Sequence, residues 1–464
     1  MARGVPVIHP ERVKALSGEP DRDGAYVLYW MQQSQRAGGN PALEVAIHEA
    51  NTRRLPVVVG FGLMDDYPEA NARHYTFLLQ GLRGVAAALR ERGIAFIVRR
   101  GRPDAVALDL GGDAALIVCD RSYLRHQRAW RDAVAAKAGC PVIQVKGDVV
   151  VPVETASGKG EYAARTIWPK ILRHRDRFIS PCAEGEVDHP SLDLGLGADI
   201  DVSDVQRAVD ALALDRSVRP VTRLSGGTVE ARARLTAFLG DGFQGYAEGR
   251  REPGDWQCSF MSPYLHFGQI SPVEVALAVK DADTRQDDDA AAYLEELIVR
   301  RELACNFVHF EPAYDRFEAL PAWARQTLGD HAGDRRDPVY AAEDLEAAAT
   351  YDPYWNAAMR EMVHTGFMHN TLRMYWGKKI LEWSPTPEAA FATALRFNNR
   401  YFLDGRDPNS YANVAWCFGL HDRPWAERPI FGKVRYMNAA GLKRKFDIDR
   451  YVAEVDRLVA VEGD

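Results

Sequence analysis

Three tryptophans have the type and spacing to do chemistry: Trp355, Trp376 and Trp383. They lie in Tyr351-Asp-Pro-Tyr-Trp355 and in His369-Asn-Thr-Leu-Arg-Met-Tyr-Trp-Gly-Lys-Lys-Ile-Leu-Glu-Trp383. Trp376 and Trp383 stand seven residues apart, two helical turns, so their rings share one face. Trp355 belongs to the preceding helical stretch and reaches the same seam if the two helices pack. Indole is easily oxidised, so a succession of indoles leading to the surface can feed electrons to a buried redox centre. The same spacing also describes ordinary core packing, the commoner use of large aromatics. The surrounding residues decide between the two.

Elements that would position such residues follow from the pattern of the chain. In the first third, Ala25–Met31, Pro56–Phe61, Ile94–Val98, Ala115–Cys119 and Val142–Val145 read as buried parallel strands. Pro41–Arg53, Asn71–Arg92, Pro103–Leu110 and Ser122–Ala138 read as the helices between them. This alternation predicts an α/β domain built on a doubly wound parallel sheet, over residues 1–181. No GxGxxG follows the first strand, so the usual dinucleotide fingerprint is missing. Residues 182–226, rich in Pro, Gly and acids, read as a connection with one helix near Val202–Leu214. Residues 227–464 read as an all-α domain.

Composition narrows the class. Hydrophobic residues are 47% and charged residues 27% of 464, the balance of a soluble globular protein. No apolar run has the length of a membrane span, and the N-terminus shows no signal-peptide core. Six scattered cysteines without a CxxC fit a reducing cytoplasm and argue against a structural metal. Net charge is −7, yet residues 360–450 carry 15 Lys+Arg against 9 Asp+Glu. That local excess is either a solvated helix face or a patch for a phosphate backbone.

Four further strings join the tryptophans: Ser262-Pro-Tyr-Leu-His-Phe-Gly-Gln-Ile-Ser271, Glu295–Phe307, Leu403-Asp-Gly-Arg-Asp-Pro-Asn409 and the tail Asp422–Met437. Ser262 precedes a proline and reads as a helix start, where free N–H groups suit a pyrophosphate; an ordinary N-cap looks the same. Glu296 lies in an amphipathic helix, Tyr293–Phe310.

In their joint order and spacing these strings closely resemble the class II cyclobutane-pyrimidine-dimer photolyases of the photolyase/cryptochrome family. The resemblance spans nearly the whole chain, and the Trp376, Trp355, Trp383 order matches that subgroup. It implies light-driven repair: a UV-induced pyrimidine dimer in DNA is flipped out and split by an electron from excited FADH⁻. It implies a helical FAD-binding domain with cofactor contacts from Tyr246, Ser262, Leu265, Arg373, Asp404 and Asn409. Asn398 resembles the asparagine facing flavin N5, with its neighbour Asn399 leaving that assignment open by one position. Glu296 matches the active-site glutamate, expected as a buried carboxyl of raised pKa that donates to a thymine carbonyl. Met374 and Trp416 resemble the walls of the dimer pocket. Arg250, Arg423, Trp425 and Arg435 resemble DNA contacts. Trp376 is implied as the proximal, Trp355 as the intermediate and Trp383 as the distal member of the ladder. An antenna pigment, a deazaflavin or a folate, is left open. The protein is expected to act as a cytoplasmic monomer without membrane or metal. The rival within the resemblance is a cryptochrome-like photoreceptor that binds FAD without repair; Glu296, Met374, Trp416 and the basic tail favour repair.

Overall fold

The computed structural model describes residues 8–282 and 287–463. Five parallel strands form the centre of a six-stranded sheet: β2 (Tyr26–Trp30), β3 (Val57–Leu63), β4 (Ala95–Arg100), β5 (Ala114–Asp120) and β6 (Val142–Val145). The spatial order is β1-β6-β5-β2-β3-β4, where β1 (Val13–Ala15) lies antiparallel on β6. Every residue of β2, β3 and β5 is buried, as expected of strands covered on both faces. Helices α1 (Pro41–Arg53), α2 (Ala72–Glu91), α3 (Pro103–Gly111) and α4 (Arg125–Lys137) make the crossovers. Asn40 caps α1 by accepting from Ala42 and Leu43 N–H, which starts the helix at Pro41. The edge strand β1 is absent from the pattern-based reading. It is three residues long and half exposed, so it carries no periodic signal.

The order of strands reverses between β2 and β5, the topological switch point where such sheets bind ligands. There Asp120, at the end of β5, accepts from the N–H groups of Gln32, Gln33 and Ser34 at 2.9–3.0 Å and from the Tyr29 hydroxyl at 2.9 Å. One carboxylate thus fixes the loop that follows β2.

The remainder is helical. Within the acidic connection the helix is shorter than the composition suggested, Val205–Asp210. Val202, Ala208, Val209 and Leu212 of this segment pack into the core of the α/β layer. The helix Ala164–Phe178 packs instead with the helical half, its Ile167, Ile171 and Phe178 joining Leu297 and Ile298. Buried polar contacts lock the two halves together. Arg36, fully buried, donates to Gly268 O at 2.9 Å and Gly147 O at 3.0 Å. Arg301 pairs with Asp148 at 2.9 Å, and Glu302 accepts from Val150 and Val151 N–H. Gly268 has φ +65°, and a Cβ there would lie 1.8 Å from Gln33 O, so the backbone approach at this joint requires glycine.

The expected continuous helix Tyr293–Phe310 is not one. It runs as α-helix over Asp287–Leu294, as π-helix over Glu295–Arg300 and as α-helix again over Arg301–Phe310. A π turn inserts one residue into the helical ladder, which leaves the hydrophobic period nearly unchanged and escapes a periodicity argument. Its effect is local: Glu296, Leu297, Arg300 and Arg301 all border one cavity.

Candidate active site

A cavity of about 470 Å³ opens in the helical half. Its wall is assembled from segments far apart in sequence. The stretch Ser259–Ser262 and Leu265 supply one side, the π turn a second, the helix Asn370–Trp383 a third, and the helices Pro387–Tyr401 and Pro408–Cys417 close it. Tyr246, Ser262, Leu265, Arg373, Asp404 and Asn409 all line it, as do Glu296, Asn398, Met374, Trp376, Trp416 and Arg250.

Arg373 donates from one Nη to both Asp404 oxygens at 3.1 Å and from Nε to Met368 O at 3.0 Å. Its guanidinium also stacks 3.8 Å over Phe402, so three contacts fix a cation at the rim of the cavity. Asn409 donates its backbone and side-chain N–H to Asp407 at 2.9 Å, and Asp407 caps the helix that follows. Burial pushes the Asp407 carboxyl up, but His266, Arg301 and the Asn409 amide together bring it down to about 2. The helix at Ser262 is five residues long and Met261 takes its N-cap position, so the Ser262 hydroxyl is not spent as a cap.

Asn398 and Asn399 separate cleanly. Asn398 borders the cavity, while Asn399 is fully buried and donates to Glu69 of the α/β half. Only Asn398 faces the space where a ligand would lie.

Glu296 departs from expectation. Its side chain is 34% exposed, and Oε1 accepts from Arg250 Nη1 at 2.7 Å. It is therefore a partly exposed, ion-paired side chain and not a buried one. Arg250, read as a DNA contact, is committed to that pair inside the site and lies 5.9 Å over Tyr246.

The tryptophans form a connected series. Trp376 borders the cavity. Trp355 donates its indole N–H to Trp376 O at 3.1 Å and meets Trp383 edge-on at 5.5 Å. Asp352 caps the helix carrying Trp355 and also accepts from the Tyr375 hydroxyl, which holds that helix against the one bearing Trp376. Trp383 is itself buried, so the series does not reach solvent as an indole. It meets Tyr351, 61% exposed, at 5.6 Å.

The loop after Asp422 carries Arg423, Trp425 and Arg435, and Arg435 lies 5.7 Å over the ring of Trp416 in the cavity wall. Trp425 is 39% exposed and lies between the two guanidinium groups, 5.2 Å from Arg423 and 4.8 Å from Arg435. Arginines beside an exposed aromatic suit a nucleic-acid backbone with an unstacked base.

A second, smaller cavity of about 100 Å³ lies at the switch point of the sheet, bordered by Trp30, Gln33, Tyr67, Asp120, Trp130 and His266 among others. None of the candidate site residues named from the sequence borders it. Its lining comes from six separate segments, and only the strand-order rule points to it. His266 borders both cavities.

The larger cavity fits the FAD that the resemblance implies. It combines a fixed cation, amides, the Ser262 hydroxyl and apolar walls in one space. Among the described residues no helix is long and apolar enough to cross a membrane.

Comparison with known proteins agrees with this geometry. The family described as DNA photolyase matches residues 27–188. A deoxyribodipyrimidine photo-lyase of Methanothermobacter thermautotrophicus is 50% identical, over 98% of this chain and 100% of its own length. One from Oryza sativa subsp. japonica is 41% identical, over 98% of this chain and 90% of its own. Among solved structures, a class III photolyase from Agrobacterium tumefaciens shares the fold with a TM-score of 0.75 at 20% identity, covering 95% of this chain and 88% of that one. Identity of this level along the whole length, over a fold with the same two halves, makes this chain a member of the DNA photolyase family.

Proposed function

We propose that the protein is a class II photolyase that splits cyclobutane pyrimidine dimers in DNA under blue light, acting as a monomer. The observation that carries the reading is the convergence of Arg373–Asp404, Asn398, Glu296, Met374, Trp376 and Trp416 on one cavity. FAD in its reduced form, FADH⁻, held by Tyr246, Ser262, Leu265, Arg373, Asp404 and Asn409, supplies the photoexcited one-electron donor. Arg373 balances negative charge at the rim, and Asp404 keeps its planar group oriented. Asn398 offers an amide that accepts or donates as a neighbouring N–H changes its protonation. Met374 and Trp416 give the soft and flat walls that two stacked bases need once flipped from the duplex. Arg423 and Arg435 hold phosphates, and Trp425 fills the gap left by the flipped pair. The Glu296–Arg250 pair presents both a carboxylate and guanidinium N–H groups where a thymine carbonyl would gain charge. The Trp376, Trp355 and Trp383 series returns electrons to an oxidised cofactor and stands outside the repair cycle.

The smaller cavity at the switch point is the place for an antenna pigment. Trp30, Tyr67 and Trp130 would offer it aromatic contacts, and Asp120 a polar one.

The test is direct. Cofactor released by denaturation is identified by chromatography, and an oligonucleotide with one cyclobutane dimer is compared with one carrying another ultraviolet photoproduct. FAD and dimer-specific repair under blue light are expected. Recovery of FMN or of no flavin from folded protein refutes the cofactor assignment; photoreduction without repair of either lesion favours the photoreceptor.

A further inference from the structure

Two tryptophans border the helical cavity, and their electrostatic surroundings are opposite. Trp376 donates its N–H to Met359 Sδ at 3.4 Å and meets Phe402 edge-on at 6.5 Å. Among the described residues no cation lies over its ring. Trp416 lies between two cations. Lys378 Nζ is 5.1 Å from its centroid and the Arg435 guanidinium 5.7 Å. Lys378 is fully buried and donates to Cys417 O. Among the described residues neither Lys378 nor Arg435 forms an ion pair, and Asp422 acts on Lys378 only from beyond contact range. The contrast with Trp383 is instructive: Lys379 Nζ also lies 5.1 Å from that ring, but it is paired with Glu382 at 2.8 Å, so its charge is locally cancelled.

A buried ammonium without a carboxylate in direct contact is costly to keep. Burial brings the Lys378 ammonium down to about 8, so the charged form prevails at neutral pH. An indole that loses an electron becomes a cation. Two positive charges within 6 Å, neither in an ion pair, oppose that change, and low dielectric strengthens the opposition. Trp416 is also a dead end for a hole: among the described residues no other aromatic ring contacts it, whereas Trp376 leads on to Trp355 and Trp383.

We propose that Lys378, together with Arg435, makes Trp416 a poor electron donor, so that an oxidised flavin draws its electron from Trp376 and the dimer wall is spared. This rests on the cavity being the flavin site. Lys378 acts through Trp416 and touches neither cofactor nor lesion in this scheme. The electron balance is simple: one electron leaves an indole and enters the photoexcited oxidised flavin, and an added thiol re-reduces the indole radical.

The experiment uses the flavin-loaded protein as purified. Trp376→Phe is combined with Lys378→Met or Lys378→Gln, the second keeping a donor for the Cys417 carbonyl should the first fail to fold. Transient absorption reads the rate of tryptophan oxidation after a blue flash. Both neutral variants should oxidise a tryptophan at least about tenfold faster than Trp376→Phe alone. Adding Trp416→Phe should abolish the gain, and Lys378→Arg should give none. A second readout needs no flavin photochemistry: the protein is exposed in the dark to carbonate radical, and the oxidation of Trp416 relative to Trp425 is mapped by peptide mass. That ratio should rise several-fold in Lys378→Met or Lys378→Gln. Absence of acceleration, or an unchanged ratio, overturns the proposal. If the preparation holds no FAD, the cavity reading itself fails, and the oxidation ratio alone then decides whether Lys378 shields Trp416; if Trp376→Phe photoreduces like wild type, Trp376 is not the preferred donor and the proposal is overturned.

Discussion

Breaking the Glu296–Arg250 pair singly and together separates a structural salt bridge from a lesion-binding device. Arg250 Nη1 lies 2.7 Å from Glu296 Oε1, with side chains 22% and 34% exposed. In the free protein water screens the pair, so its coupling should be at most ~1 kcal/mol. A pyrimidine dimer seated in the cavity displaces that water. Unit charges about 4 Å apart interact by ~4 kcal/mol at an effective dielectric of ~20. If desolvation cancels half of this, ~2 kcal/mol remains, roughly thirtyfold in affinity. Arg250→Met, Glu296→Gln and the double variant supply the cycle. Urea unfolding gives the coupling in the free protein. Anisotropy with matched oligonucleotides, with and without one dimer, gives the coupling in the complex. The expected result is weak coupling in stability and on undamaged DNA, with ~2 kcal/mol appearing only on the lesion. Repair yield per photon, measured with chemically reduced, lesion-saturated Glu296→Ala, should fall. Equal coupling on both DNAs, with wild-type yield in Glu296→Ala, would refute a role at the lesion and leave the pair as support for the π turn.

Three other outcomes follow from the geometry. Trp376→Phe should slow flavin photoreduction severely while costing only ~1 kcal/mol of stability, because it leaves a small void and frees only a thioether acceptor; dimer repair by chemically reduced protein should persist, and unchanged photoreduction would remove Trp376 from the path. Arg423→Ala and Arg435→Ala should each weaken DNA binding and reduce the salt slope by ~1, read from titrations at several salt concentrations. Burial raises the Glu361 carboxyl to about 8, so it stays neutral in the folded protein; its stabilisation is complete below the unfolded value near 4.5 and is lost as pH rises through about 8, at ~1.4 kcal/mol per unit. Glu361→Gln should flatten that fall, and a wild-type profile in the variant would reject the assignment.

The strands were legible because each is a short β-branched run between turn residues. Tyr26–Trp30, Val57–Leu63 and Ala114–Asp120 stand within two residues of their sequence-based bounds. The edge strand Val13–Ala15 was not legible, since its pairing with β6 depends on partners some 130 residues away. The cavity residues were nameable only through the resemblance. No local pattern tells Asn398 from Asn399; one turns toward the cavity and the other toward Glu69 because the helical half meets the α/β half there. The burial of Glu296 was misjudged for a related reason. Helical periodicity places a side chain on a face, but the π turn rotates that face, and Arg250 arrives from a separate segment.

The contacts that made the site hard to read also make it work as one unit. Arg36, Arg301 and Glu302 join the halves through buried hydrogen bonds, and such bonds are expensive to break in a low-dielectric interior. The two cavities are consequently held at one distance and one mutual orientation, with His266 bordering both. Transfer of excitation between pigments depends on that distance and orientation and needs no contact or moving part. The joint thus fixes the sheet cavity relative to the helical cavity, as the proposed antenna and donor would require. Gly268 belongs to the same joint, where any Cβ would collide with the Gln33 carbonyl.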